Sequence, residues 1–263
     1  MMWHAWMSMQ IILEMIPISS SAHLVILQSL YERIWQKPLL FPVKSHLVDS
    51  FFEVIQAPTI VLIALYFSSR WVALLCSVRR TYFLLARSMC LALVADVVTC
   101  GFFIGIKHYQ LFSIPLWVGF LITMLVLLRI RKLSISVRAN WNLKDALILG
   151  AAQGIALLPG ISRLAITFAA ALWRGIAPKQ AFEIAWLIEI PLISAACLKS
   201  IVLHHNEFDW GQLLSPASSI SMLISSIIAW YCLKWVAHQA YRKNMDGFAW
   251  YMILPILYAL MLV

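Results

Sequence analysis

Two short stretches of this chain combine a helix-breaking turn with side chains that could do chemistry. The first is Glu14 followed by Pro17-Ile18-Ser19-Ser20-Ser21-Ala22-His23, and the second is Gln153 followed by Pro159-Gly160-Ile161-Ser162-Arg163, with Thr167 four residues further on. Arg163 lies within an apolar run from about Ala146 to Trp173. A charge at membrane depth costs roughly 2.5–3.5 kcal/mol on insertion scales, so such a residue is expected to be functional. Pro159 removes an amide donor and Gly160 loosens the backbone, which predicts a new helix starting at Ser162. A helix start offers unpaired N–H groups and the positive end of the helix dipole. With a guanidinium beside it, the expected ligand is a phosphate.

In the first stretch, Glu14 is an acid in apolar surroundings and needs a cation, a metal or a proton. As a ligand it suits Mg²⁺ or Ca²⁺, which take oxygen donors and accept substrate phosphates into the shell. Gln10 lies one turn earlier on the same helix face and can orient a water or a phosphate oxygen. One of Ser19, Ser20 and Ser21 is expected to cap the following helix, which leaves hydroxyls spare. His23 follows Ser20 by three residues, so the two can share a face as a nucleophile and its base. Glu53 and Gln56 share a face at the start of a later span, Asp96 sits in the middle of another, and Glu189 just precedes Pro191. His204 and His205 read as loop surface. The five cysteines form no Cys-x-x-Cys pair and read as small apolar residues.

These residues need a scaffold, and composition says which. The 263-residue chain is 63% hydrophobic and only 12% charged, which identifies an all-α polytopic membrane protein and excludes a soluble domain. The net charge of +9 is not a nucleic-acid footprint, because the basic residues sit in short loops between apolar spans. Six stretches approach the length of a crossing: about Phe51–Ser69, Tyr82–Ile106, Ser113–Ile130, Ala181–Leu203, Ala217–Val236 and Phe248–Val263. The interrupted segments, about Trp3–Leu30 and Ala146–Trp173, have halves too short to cross, and so read as two re-entrant helix–turn–helix hairpins. Two ordinary kinked spans, giving eight crossings, are the alternative. The loops holding Arg70, Arg79 and Arg80, then Arg131, Lys132, Arg138 and Lys144, then Arg242 and Lys243, are expected to be cytoplasmic. The acidic 204–216 loop, without Lys or Arg, is expected to be external. The hairpins then enter from opposite faces. Pro17 and Pro159 lie 142 positions apart, and Phe52-Glu53-Val54 is echoed 130 positions later by Phe182-Glu183-Ile184. The chain therefore reads as one integral membrane domain, 1–263, with an inverted internal repeat of roughly 1–130 and 131–263 and a polar site where the broken tips meet. No ring of like charges or carbonyl-rich filter suggests a channel.

The motifs Glu14-Met15-Ile16-Pro17-Ile18-Ser19-Ser20-Ser21-Ala22-His23-Leu24 and Gly150-Ala151-Ala152-Gln153-Gly154-Ile155-Ala156-Leu157-Leu158-Pro159-Gly160-Ile161-Ser162-Arg163, with Phe52-Glu53-Val54-Ile55-Gln56, resemble the integral-membrane undecaprenyl-diphosphate phosphatases of the bacitracin-resistance type. The likeness covers nearly the whole chain. It implies six transmembrane helices with two inverted re-entrant pairs in a bacterial plasma membrane. It also implies hydrolysis of a polyprenyl diphosphate lipid to the monophosphate with a divalent cation. By position, Glu14, Ser20, His23 and Arg163 fall on catalytic sites and Ser162 and Thr167 on phosphate-binding ones; Glu14 is the expected metal ligand, and Ser19 and Gln153 are further phosphate-binding candidates. A homodimer is allowed. Gln10 stands where the family usually has a glutamate, Leu164-Ala165 where it has Ser-Gly, Glu183 where it has a basic residue and Glu189 where it has a small one. Gln10, Glu53 and Glu189 are therefore auxiliary candidates. The sequence leaves open whether Ser20 attacks phosphorus directly or positions a water. The rival reading is a homologue that binds or flips the lipid monophosphate without turnover.

Overall fold

A computed structural model describes residues 2–36, 47–75, 79–108, 114–133 and 142–262. Ser113, Arg138 and Val263, named above, and Cys76, one of the five cysteines, lie outside these. The described residues contain helices and no strand. In chain order the helices are α1 (Met2–Glu14), α2 (Ser20–Trp35), α3 (Val48–Ile55), α4 (Ala57–Leu75), α5 (Arg79–His108), α6 (Leu116–Lys132) and α7 (Leu143–Ile155). They continue with α8 (Arg163–Trp173), α9 (Pro178–His204), α10 (Trp210–Leu213), α11 (Pro216–Tyr241), α12 (Asp246–Tyr251) and α13 (Ile253–Leu260).

Four segments are long and apolar enough to cross a membrane: Ser50–Val72, Ser88–Gly105, Pro178–His204 and Pro216–Tyr241. The other two expected crossings are shorter. α6 has 17 residues, and Asp246–Leu260 is divided into α12 and α13 at Met252. The expected breaks at both interrupted segments are present, between α1 and α2 and between α7 and α8.

Local chemistry sets the ends of the site-bearing helices. α7 opens on a capping box, in which the Asn142 side chain accepts from the Asp145 amide at 3.0 Å and the Asp145 carboxylate accepts from the Asn142 amide at 3.0 Å. Arg174, at the far end of α8, places Nε 2.7 Å from Asp145 Oδ1 and ties the two ends of this hairpin together. α7 lies so close along α5 that a β-carbon on Gly150 would overlap the Ala92 carbonyl, and one on Gly154 would sit 2.5 Å from Thr99 Cβ. Glycines four apart permit this approach, as they do in membrane helix pairs generally. Pro191 denies α9 one amide donor, and on the preceding turn the Ile188 carbonyl takes an added bond from Gln153 Nε2 at 3.4 Å.

The main apolar core gathers Met7, Ile11 and Met15 from α1 and the turn after it, Phe168 from α8, and Phe182 and Trp186 from α9. A smaller cluster of Ile18, Ala22, Ile26, Phe120 and Met252 packs around the first break. Charge pairs fasten both ends of the α4–α9 contact: Glu53, just before α4, meets Lys199 and Ser200, and Glu183, near the start of α9, meets Arg70 of α4. Of the described cysteines, Cys197 is buried as expected, whereas Cys90 is exposed.

Candidate active site

The two breaks meet. They line a cleft of about 350 Å³, measured out to its mouth, with Glu14, Ser19, Ser20 and Ser21 on one side and Ser162, Arg163 and Leu164 on the other. Glu189 of α9 joins the lining.

The second break is tightly built. Gly160 has φ +86°, the left-handed region that suits glycine, and α6 lies so close that a β-carbon on Gly119 would overlap the Pro159 carbonyl. Thr123 of α6 holds this turn from both sides. Its Oγ1 donates to the Gly160 carbonyl at 2.9 Å and accepts from the Ser162 amide at 2.9 Å. Ser162 caps α8, as expected, its Oγ accepting from the Ala165 amide at 3.3 Å. With those amides engaged, the N–H groups of Arg163 and Leu164 carry no hydrogen bond among the described residues. They stand at the positive end of the α8 dipole beside a guanidinium, which is an anion-binding arrangement.

The first break is looser. Ser19 is the residue before α2, as the serine run predicts, but its hydroxyl makes no cap bond. Ser20 does not meet His23. Its Oγ instead donates to Glu14 Oε2 at 2.6 Å, across the break. Gln10 Nε2 donates to the same oxygen at 3.1 Å, so Gln10 supports Glu14 from below and does not line the cleft. His23 Nδ1 donates to the Ser19 carbonyl at 2.7 Å, a tautomer assigned from that acceptor, and Nε2 is buried without a partner. The ring stacks on Tyr251 at 5.6 Å and meets the edge of Phe120 at 5.1 Å. A Ser20–His23 pair is thus absent, because the α2 start turns the imidazole toward its own backbone and the aromatic cluster.

Of the other expected residues, Thr167 turns its hydroxyl back to the Arg163 carbonyl at 2.8 Å, a bond that helix interiors offer to threonine, and leaves the cleft lining. Gln153 gives its Nε2 to Asp96 Oδ2 at 3.2 Å and to the Ile188 carbonyl, and it stands outside the cleft lining with its Oε1 buried and unpartnered among the described residues. Glu53 is held by Lys199 and Ser200 away from the cleft. Glu189 reaches Arg163, with Oε1 3.4 Å from Nη1. Thr123, which grips the second break, does not stand out in the sequence. A threonine in an apolar span carries no periodic signal of the turn it grips.

Among the described residues no group of three His, Cys, Asp or Glu side chains could hold a metal unaided. The donors at the cleft are nonetheless hard oxygens, and Glu14 Oε1 carries no hydrogen bond among the described residues. Two carboxyl groups, those of Glu14 and Glu189, line the cleft beside one guanidinium. A divalent oxygen-seeking cation fits both facts, provided phosphate oxygens complete its shell.

Comparison with known proteins bears directly on this geometry. Residues 8–256 match the family described as Bacitracin resistance protein BacA. The undecaprenyl-diphosphatase of Campylobacter curvus is 30% identical over 261 residues, covering 92% of this chain and 91% of that protein. That of Treponema denticola is 28% identical over 256 residues, covering 91% and 88%. A shorter match to the undecaprenyl-diphosphatase of a Psychrobacter species is 33% identical over 113 residues, 43% of this chain and 40% of the relative. The chain belongs to the bacitracin resistance protein BacA family.

Proposed function

We infer that this protein hydrolyses undecaprenyl diphosphate to undecaprenyl phosphate and inorganic phosphate. The observation that carries this reading is the Ser20 hydroxyl held 2.6 Å from Glu14 Oε2 in the same cleft as Arg163 and the free amides of α8. A hydroxyl bound to a carboxylate is a nucleophile with its proton acceptor in place. Full-length kinship to undecaprenyl-diphosphatases favours turnover over carriage of the monophosphate.

In the proposed mechanism, Arg163 and the amides of Arg163 and Leu164 hold the terminal phosphate. Ser20 Oγ attacks its phosphorus while Glu14 takes the hydroxyl proton. The bond to the bridging oxygen breaks, and undecaprenyl phosphate leaves. Water then cleaves the phosphoserine and releases phosphate. His23 is a positioning residue, fixing the Ser19–Ser20 turn through the Ser19 carbonyl. The divalent cation, Mg²⁺ or Ca²⁺, would be held by Glu14 and the substrate, and would offset phosphate charge. Positioning and charge stabilisation supply most of the rate, as in phosphoryl transfer generally.

The chain also reads as six crossings with α1–α2 and α7–α8 as inverted re-entrant hairpins. Two features support this. Each hairpin half is too short to span, and the pairs Glu53–Lys199 and Glu183–Arg70 fasten opposite ends of α4 and α9 in a reciprocal manner. The basic loops would face the cytoplasm of a bacterial plasma membrane and the 204–216 loop the outside. The direct test is phosphate release from undecaprenyl or farnesyl diphosphate by purified protein in micelles. Cation-dependent release supports the reading, and none overturns it.

A further inference from the structure

Glu189 is the one acidic side chain of the cleft that the mechanism leaves unused, and its surroundings are unusual. It is only 3% exposed, yet its Oε2 is buried without any hydrogen-bond partner. Its Oε1 meets Arg163 Nη1 at 3.4 Å, longer than the roughly 2.7–2.9 Å of a strong charge-assisted bond. A buried carboxylate with one loose partner and one orphaned oxygen is costly as it stands. It is relieved by a proton, or by a cation that enters the cleft.

What enters is constrained by charge. A phosphate arriving at Arg163 takes up the guanidinium that Glu189 now holds. Glu189 is then left beside a second anion, which is repulsive unless a cation lies between them. We propose that Glu189 is a charge-exchange residue. It occupies Arg163 in the empty site, yields it to the phosphate, and turns its freed carboxylate to the divalent cation as a second ligand alongside Glu14. Cation and phosphate binding are thereby coupled, each favouring the other, as linkage requires. This rests on the proposed reading of the cleft as a diphosphate site.

Two opposite effects follow from one substitution. Without cation, Glu189→Gln removes the competitor for Arg163, so inorganic phosphate binds more tightly than to the unmodified protein. With phosphate present, the same change removes a cation ligand, so Mn²⁺ binds more weakly by about tenfold or more, the scale on which partners of a metal site act. The experiment measures phosphate binding by calorimetry without metal, and Mn²⁺ binding by electron paramagnetic resonance with and without phosphate, on full-length protein in micelles. The unmodified protein should bind Mn²⁺ more tightly when phosphate is present. Opposite shifts in Glu189→Gln support the proposal. Loss of both affinities makes Glu189 a mere prop for Arg163 and overturns it. Unchanged Mn²⁺ affinity overturns it as well, whatever happens to phosphate. If the unmodified protein binds neither probe, the fault lies with the diphosphate reading of the cleft, and the two failures are told apart.

Discussion

The two breaks are alike in sequence and unlike in construction. Each interrupts an apolar segment with a proline and restarts a helix at a serine or just after one. The second is clamped. Gly160 supplies the left-handed turn, Thr123 grips the turn from α6, and Ser162 caps α8. The first is held by fewer bonds: the His23 ring bonds the Ser19 carbonyl, but Ser19 leaves its cap bond unmade and the Ser20 hydroxyl reaches back to Glu14. The difference is functional. A group that must hold an anion gains from rigidity, since preorganised donors need no rearrangement during reaction. A group that must form and break a bond gains from a hydroxyl not consumed by capping. On the proposed mechanism the second break holds the phosphate and the first reacts with it.

This division can be broken from the holding side first. Arg163→Ala should lower kcat/KM for phosphate release by about 10³, the lower end of what transition-state arginines contribute in phosphoryl transfer. Arg163→Lys should be nearly as damaging, because an ammonium cannot fork to two phosphate oxygens. Full activity in the Lys variant would mean that charge alone matters there. On the reacting side, Ser20→Ala should lower kcat by about 10² or more with substrate binding kept, in line with the usual scale of proton-transfer effects. Unchanged turnover in that variant would remove Ser20 from the chemistry.

A gentler change sharpens the comparison. Thr123→Val keeps the shape but loses both bonds to the turn. It should raise KM by about tenfold, as expected for one or two lost hydrogen bonds at about 1 kcal/mol each. Thr123→Ser should restore it. If Thr123→Val changes thermal stability but not KM, the clamp is structural only. The smallest effect is expected at the α4–α9 fastenings. Glu183→Gln, which loses its partner Arg70, should cost about 1 kcal/mol or less, since Arg70 is well exposed to water. Its activity should stay near that of the unmodified protein, and a large loss would tie this pair to the chemistry.

Legibility in the sequence followed the range of the interactions. The restart of a helix at Ser162 is readable because proline, glycine and a capping serine act over a few residues, and the structure makes Ser162 the cap with Arg163 the first helical residue. Four of the six expected crossings coincide with helices long and apolar enough to cross, whereas α6 and the α12–α13 pair are shorter. The partner of Ser20 was not. Helical spacing favours His23, whereas the turn at Pro17–Ser19 folds the end of α1 back onto the start of α2 and brings Glu14 closer. Thr167 and Gln153 were expected at the phosphate, but backbone carbonyls and Asp96 claim them, and no periodicity reports such competition. Thr123 grips residues 37 and 39 positions away. Only the packing of α6 against the second break makes that contact, and a single sequence carries no mark of it.

The central claim is that the first break supplies the nucleophile. Purified protein is mixed with farnesyl diphosphate labelled in its terminal phosphate, quenched in acid within the first turnover, and digested for mass spectrometry. Labelled phosphate is expected on the peptide carrying Ser20 and absent in Ser20→Ala. Phosphate release at full rate with no labelled peptide, and with inversion at phosphorus in a chiral substrate, would show a single attack by water and contradict it.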